Sequence, residues 1–388
     1  MSKTESAAGR AVLMAAHCAG MIDLVTLPVW VGTLMSAYRF DPQQAGALVT
    51  CFLAGAVVAS LFFAPRFHRV AARPMAALAY GVAALAFFGV TLVDGFELMA
   101  ALHAMAGLAA GCGLSFTHGS IGRSANPHRL FAMAGLALGV FAIPMLGGLP
   151  ALVSAAGGAA MFHVFAGVMA VAALLAALAF PSVRAPAGSR SGAPATPLRP
   201  TAWRAMAGVA CLALVQAMLF SFVERIGNER FGPGAVASML IVLGFVTLLP
   251  APLAALLQRR LAPQQVLLAG PATQVLIALV ITQSTGFLPF AAAVILLPCV
   301  MIFSHTFAFG AIARLDPSGR AVAATPAMTM IGAAIGPILG GTLVKAGGYT
   351  PLAIAAALIA AVSIACFLAL LRPQDSGASL SLENGTHP

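Results

Sequence analysis

FTHGSIGRSANPHR, residues 116–129, returns in degenerate form as FAFGAIARLDPSGR, residues 307–320. At an offset of 191 the two stretches share Phe116 with Phe307, Gly119 with Gly310, Ile121 with Ile312, Arg123 with Arg314 and Arg129 with Arg320. The same offset lays Phe40-Asp41-Pro42 on Phe231-Gly232-Pro233, and Arg69 on Arg260. Further along, Pro144-Met145-Leu146-Gly147-Gly148 matches Pro337-Ile338-Leu339-Gly340-Gly341 at offset 193. Landmarks in order, at a nearly constant offset, mark an internal duplication.

Composition says what each copy is made of. Of 388 residues, 61% are apolar and only 8% charged, whereas soluble domains are roughly a quarter charged. A spanning helix needs about 20 apolar residues, and the chain offers twelve such runs. The first six are Ala11–Met35, Ala45–Phe63, Met75–Val93, Leu98–Thr117, Leu130–Leu149 and Gly157–Phe180. The second six are Ala205–Val223, Ala235–Leu257, Val266–Thr282, Leu288–Ala313, Ala321–Val344 and Leu352–Leu371. Their length and continuity indicate helices rather than barrel strands. The expected fold is an all-α integral membrane protein of twelve transmembrane helices in two six-helix bundles, residues 1–180 and 201–372. Residues 181–200 (PSVRAPAGSRSGAPATPLRP) read as a linker and 373–388 as a disordered tail. The first run is too long for a signal peptide and carries Asp23 in its middle, so it is expected to be retained.

With the N-terminus in the cytoplasm, 16 Lys and Arg fall on the cytoplasmic side and 4 (Arg39, Arg225, Arg230, Lys345) on the other. This positive-inside bias accounts for the net charge of +10 without a nucleic-acid partner. It implies a multi-pass protein of the cell inner membrane with both termini cytoplasmic. The six cysteines lie scattered in apolar runs as small filler. The sequence has no phosphate-binding loop, metal-ligand cluster or nucleophile elbow. Neither an enzyme, a cofactor nor direct ATP driving is expected.

Gly332-x-x-x-Gly336-Pro337-x-x-Gly340-Gly341 in span 11 and Gly139-x-x-x-Ile143-Pro144-x-x-Gly147-Gly148 in span 5 resemble the Gly-Pro-Gly-Gly signature of the major facilitator superfamily, especially its proton-driven exporters. In the family the signature belongs to span 5, where Ile143 here replaces a Gly. Arg66 and Arg69 fit the Arg positions of the family's loop between spans 2 and 3, while Pro65 replaces its Asp and His68 a Gly. His103-x-x-x-Gly107 stands where many members carry Arg-x-x-x-Gly. The resemblance implies two rocking bundles, a central cavity lined by spans 1, 4, 7 and 10, and gating roles for Arg66, Arg69, Pro144, Gly147, Gly148, Gly336, Pro337, Gly340 and Gly341.

Ionisable side chains in lipid-embedded helices are costly and mark function. His17, Asp23, His103, His118, Glu224, Arg225 and His305 all fall on spans 1, 4, 7 and 10; His163, on span 6, is read as structural. Asp23 lies about 18 Å into span 1 at the usual helical rise, on one face with Thr26 and Trp30. A carboxyl at that depth suits the loading and release of a proton near neutral pH, with His103 as its partner. His17, Trp30, Gln216, Ser304 and His305 are the expected cavity residues. Glu224 and Arg225, adjacent and so about 100° apart on a helix, are expected to gate the outer end without pairing. Gln274 and Gln283 are expected to brace helices. The expected activity is proton-coupled export of a small amphipathic or cationic compound by a monomer in the bilayer. Proton-symport uptake of a small metabolite is the alternative, and a membrane sensor built on a transporter scaffold the remote one.

Overall fold

A computed structural model of the protein describes residues 6–63, 66, 70–181, 200–258, 260–315 and 320–368. Arg69, the linker from 182 to 199 and the tail from 369 lie outside them. The first half holds α1 (Ala7–Gly20), α2 (Ile22–Ser36), α3 (Pro42–Phe63), α4 (Ala72–Val90), α5 (Phe96–Gly122), α6 (Pro127–Ala156) and α7 (Ala159–Ala179). The second half holds α8 (Pro200–Phe220), α9 (Val223–Phe231), α10 (Pro233–Val246), α11 (Pro250–Leu257), α12 (Pro263–Gln283), α13 (Phe287–Leu315), α14 (Arg320–Gly347) and α15 (Thr350–Leu368). Among the described residues these make twelve crossings, eleven of them long and apolar enough to span a bilayer when α1 with α2, and α8 with α9, are each taken as one stretch.

Three crossings are broken rather than continuous as expected. Span 1 breaks between α1 and α2 at Met21, one turn after the Ala16 carbonyl, which accepts from the Tyr80 hydroxyl at 2.7 Å. Span 7 breaks between α8 and α9, where the Ser221 hydroxyl takes the Ala217 carbonyl at 2.6 Å. Span 8 divides into α10 and α11, which restarts on Pro250, a residue suited to a first helical turn. Other starts follow local rules too. Asp41 accepts the Gln44 N–H at 2.9 Å while Gln44 Oε1 accepts the Asp41 N–H at 3.2 Å, a reciprocal cap ahead of Pro42. Gly232, at φ 83°, turns the chain sharply from α9 into α10.

The halves meet where α3 packs on α14 and α6 packs on α10. Gly46 and Gly341 allow the first contact: a Cβ on Gly46 would strike the Pro337 carbonyl, and one on Gly341 the Pro42 carbonyl. The opposite face of α14 presents Gly332, Gly336 and Gly340 to α8, against Ala210, Ala217 and Met218. Span 5 solves the same problem differently. Ile143, which breaks the signature, is accommodated by Gly244 of α10, whose Cβ would come within 3.1 Å of the Ile143 Cα. The small residue has moved to the partner helix.

The contacts of Gly46 and Gly341 lie toward the end of the bundle carrying the α2–α3 and α9–α10 turns, here the far end. The other end carries most of the Lys and Arg and is called the basic end. There α1 packs mainly on first-half helices, namely α2, α5, α6 and α7, whereas α2 packs on both halves through α3, α6, α7, α8 and α9. Among the described residues the halves are held together at the far end.

Candidate functional site: a cavity that ends at Asp23

Exposure along spans 1 and 7 traces the gap between the halves. On span 1 an exposed or half-buried stripe passes through Ala7, Ala11, Met14 and Met21 to Asp23 and Leu24. Leu24 is 48% exposed, and beyond it every residue from Val25 to Leu34 is buried. On span 7 the stripe passes through Trp203, Ala207, Ala210 and Cys211 to Leu214, after which Val215 to Val223 are all buried. Asp23 and Leu214 are the pair related by the offset of 191. The duplication therefore sets one floor, carrying a carboxyl on one side and an isobutyl group on the other.

The break in span 1 makes that floor polar. Asp23 falls in the first turn of α2, and its carboxyl lies over the N–H groups of Asp23 and Leu24, where a helix start favours negative charge. Pro28 has no N–H for the Leu24 carbonyl, so this turn also offers a carbonyl without its helical donor. Among the described residues the floor carries no ion pair: Arg225–Glu229 and Lys345–Asp41 both lie at the far end.

Near the floor, His17 Nδ1 of α1 lies 3.0 Å from His118 Nε2 of α5, one nitrogen donating to the other. His118 is half-buried and packs edge-on against Phe131. On span 10 the exposed Thr306 sits beside His305, whose ring lies 3.9 Å from that of Phe309. The Nε2 of His305 and the Oε1 of Gln216 are enclosed without a hydrogen-bond partner among the described residues.

Several expected site residues lie elsewhere. Trp30 and His103 are both 0% exposed, and neither faces the cavity. The Trp30 indole N–H donates to His103 Nε2 at 3.3 Å, and His103 Nδ1 lies 2.7 Å from the Met99 carbonyl. His103 is thus a neutral ring with its proton on Nδ1, walled in by Trp30, Phe87 and Phe162. Helical spacing put Trp30 on the Asp23 face, but α2 turns that face into the bundle after its first turn. Ser304 is buried against Gly270 of α12. It lines an apolar cavity of about 560 Å³ bounded by α10 to α13 of the second half alone, away from the gap. Arg66 folds onto its own helix, donating to the Phe62 carbonyl at 2.8 Å. Gly147 meets Ile241 of α10, Gly148 has open space beside it, and Pro144 lies inside α6. Gln274 donates to the Leu212 carbonyl at 3.2 Å and Gln283 to Thr350 at 3.2 Å, so both brace helices.

At the far end Glu224 and Arg225 do not pair. Arg225 turns to Glu229 at 2.5 Å, which also accepts from the Tyr349 hydroxyl. Glu224 accepts from Asn228 at 2.5 Å and presses against Gly32 of α2, where no Cβ would fit. Two inter-half links here had no signal in any local pattern. Lys345 of α14 lies 2.9 Å from Asp41. The Thr50 hydroxyl of α3 donates to the Ala334 carbonyl at 2.7 Å and accepts the Ile338 N–H at 3.2 Å.

The comparisons agree with this architecture. The solved structure of the nucleoside transporter NupG superposes with a TM-score of 0.69 at 16% identity, covering 94% of this chain and 97% of that one. A bacterial homolog of the human lysosomal transporter Spinster, solved inward-facing and unoccupied, gives 0.64 at 15% identity, covering 93% and 94%. No curated protein sequence matches. The family model of the Major Facilitator Superfamily matches residues 12–315, well over half of the chain. With twelve crossings, two duplicated halves and a gap that ends at mid-span, the protein belongs to the major facilitator superfamily of membrane transporters.

Proposed function

We propose that the protein is a proton-coupled secondary transporter of the inner membrane, its basic end in the cytoplasm, that exports a small amphipathic or cationic compound. The observation that carries this reading is Asp23, a carboxyl at the floor of the gap with no basic side chain paired to it among the described residues. Such a group holds a proton or a cationic cargo, but not both. With the basic end open, cargo entering from the cytoplasm displaces the proton from Asp23. After the halves rock, a proton from the far side displaces the cargo and resets the cycle. The 16-to-4 distribution of Lys and Arg supports the orientation.

Everted membrane vesicles test the reading. Energised vesicles are expected to accumulate one or more lipophilic cations, and nigericin, which dissipates the pH gradient, is expected to abolish the uptake. A second reading, proton-symport uptake of a neutral metabolite, draws support from the unpartnered Gln216 Oε1 and His305 Nε2, which could bind a neutral solute. Accumulation of neutral solutes in right-side-out vesicles, with no cation moved by everted ones, would favour it.

A further inference from the structure

Glu224 has no part in the cycle described above, yet its carboxyl sits in the seam that closes the far end. It stands in the first turn of α9 after the break in span 7, as Asp23 stands in the first turn of α2 after the break in span 1. Each acid is the second residue past its break, Met21 in one case and Phe222 in the other. The two breaks do not follow the offset of 191: the second lies about ten residues nearer the far end, roughly 15 Å at the helical rise. The duplicated halves have thus placed the same device at two depths, one at the cavity floor and one in the far-end seam.

In the seam the Glu224 carboxyl meets Gly32 of the other half so closely that no side chain fits there, and it accepts a hydrogen bond from the neutral amide of Asn228. Among the described residues the surrounding elements supply no ion-pair partner. On α2 the titratable residue is Asp23, nine positions away, and α10 has none. On α8 Arg204 and Cys211, and on α13 Cys299 and His305, lie toward the middle or the basic end. On α9 itself Arg225 is held by Glu229, and Arg230 donates to the carbonyls of Ile281, Thr282 and Ser284. An enclosed carboxylate without a cation is costly, whereas a neutral carboxyl in the same place is not.

We propose that Glu224 is a second proton site, and that the far end closes over it only when it carries its proton. Opening the seam separates Glu224 from Gly32 and exposes the carboxyl to the far side, where it ionises. Low pH therefore favours the closed far end, and rising pH releases it. The proposal rests on the reading that the halves alternate, but not on the nature of the cargo or on coupling at Asp23.

The test is a far-end distance measured without cargo. Spin labels are placed at the exposed positions Ser36 and Thr285, one on each half, in a cysteine-substituted background reconstituted in nanodiscs. Double electron–electron resonance is recorded at about pH 6 and about pH 8.5. The expected result is a shift toward longer distances at the higher pH. Glu224→Gln is expected to stay at the short distance at both values, and Asp23→Asn to keep the shift. Gly32→Ala, which pushes a methyl group into the carboxyl, is expected to favour the long distance at both. Equal distances at the two pH values in the parent, or a shift that survives unchanged in Glu224→Gln, would overturn the proposal. Loss of proton-driven transport in Asp23→Asn with the Glu224-dependent shift intact would leave this inference standing and bear on the coupling site alone.

Discussion

The Thr50 hydroxyl of span 2 sits inside the backbone ladder of span 11, donating to the Ala334 carbonyl at 2.7 Å while taking the Ile338 N–H at 3.2 Å. In an unbroken helix those two groups would bond each other. A side chain from one half therefore completes a helix of the other, one residue past Pro337, and the bond has to break whenever the halves separate. Thr50→Val keeps the shape and removes the hydroxyl. Hydrogen bonds of this kind between membrane helices are worth about 0.6–1 kcal/mol, so the closed far end is expected to lose roughly threefold to fivefold in population. The same spin-label distance checks it.

The ion pair between Lys345 and Asp41 adds a second tie with a defined pH response. Partial burial pushes the Asp41 carboxyl up, but the Gln44 N–H and Lys345 outweigh this and hold it below its ordinary value. A group lowered in the closed state stabilises that state fully above its ordinary pKa of about 4 and loses the contribution as pH falls through the lowered value. Both side chains are substantially exposed, so the pair is worth no more than about 1 kcal/mol. Lys345→Met is expected to loosen the far end slightly and equally at pH 6 and pH 8.5. An effect confined to one of those values would contradict this assignment.

His103 makes a prediction of the opposite kind. Both of its nitrogens are engaged inside the aromatic wall around Trp30, so its role is to position α2 against α5. Removing the ring strands the buried Trp30 indole N–H, at about 1–3 kcal/mol, and leaves a cavity inside the aromatic wall. His103→Ala is expected to lower the melting temperature of the purified protein markedly. Transport per folded molecule is expected to keep its pH profile. A displaced profile with unchanged stability would return His103 to the proton path.

The seam between α3 and α14 should tolerate little added volume. A Cβ on Gly341 meets the Pro42 carbonyl, which is backbone and cannot swing aside. Gly341→Val is expected to prop the far end open and to abolish net transport while leaving membrane insertion intact. Gly148→Ala, with open space around the position, is expected to be nearly silent in the same flux assay.

Much of this was legible in the sequence, because the bilayer imposes long apolar runs and the duplication imposes a register. The offset that joins Phe116 to Phe307 also joins Asp23 to Leu214, and both of these end an exposed stripe. What could not be read arose from contacts between distant segments. Tyr80 binds the Ala16 carbonyl just before the break in span 1; nothing in the run Ala11–Met35 announces a partner on span 3. Trp30 shares helical spacing with Asp23 on the same α2 yet points into the first bundle, because α2 is buried on every side from Val25 to Leu34. Ile143 departs from the signature only until Gly244 is seen opposite it. The tie between Asp41 and Lys345 spans 304 positions and has no local trace.

Coupling at Asp23 is tested most directly by comparing two modes of transport in one variant. Asp23→Asn is reconstituted in liposomes with whichever cation the vesicle screen identifies. Flux is then measured under a pH gradient and, separately, as exchange of labelled for unlabelled cargo at equal pH. Loss of gradient-driven flux by at least about tenfold is the expected outcome, with exchange retained only at higher cargo concentration, since the amide still lines the floor but neither carries a proton nor holds a cation by its charge. Gradient-driven flux equal to that of the unaltered protein would contradict the assignment of the proton to Asp23.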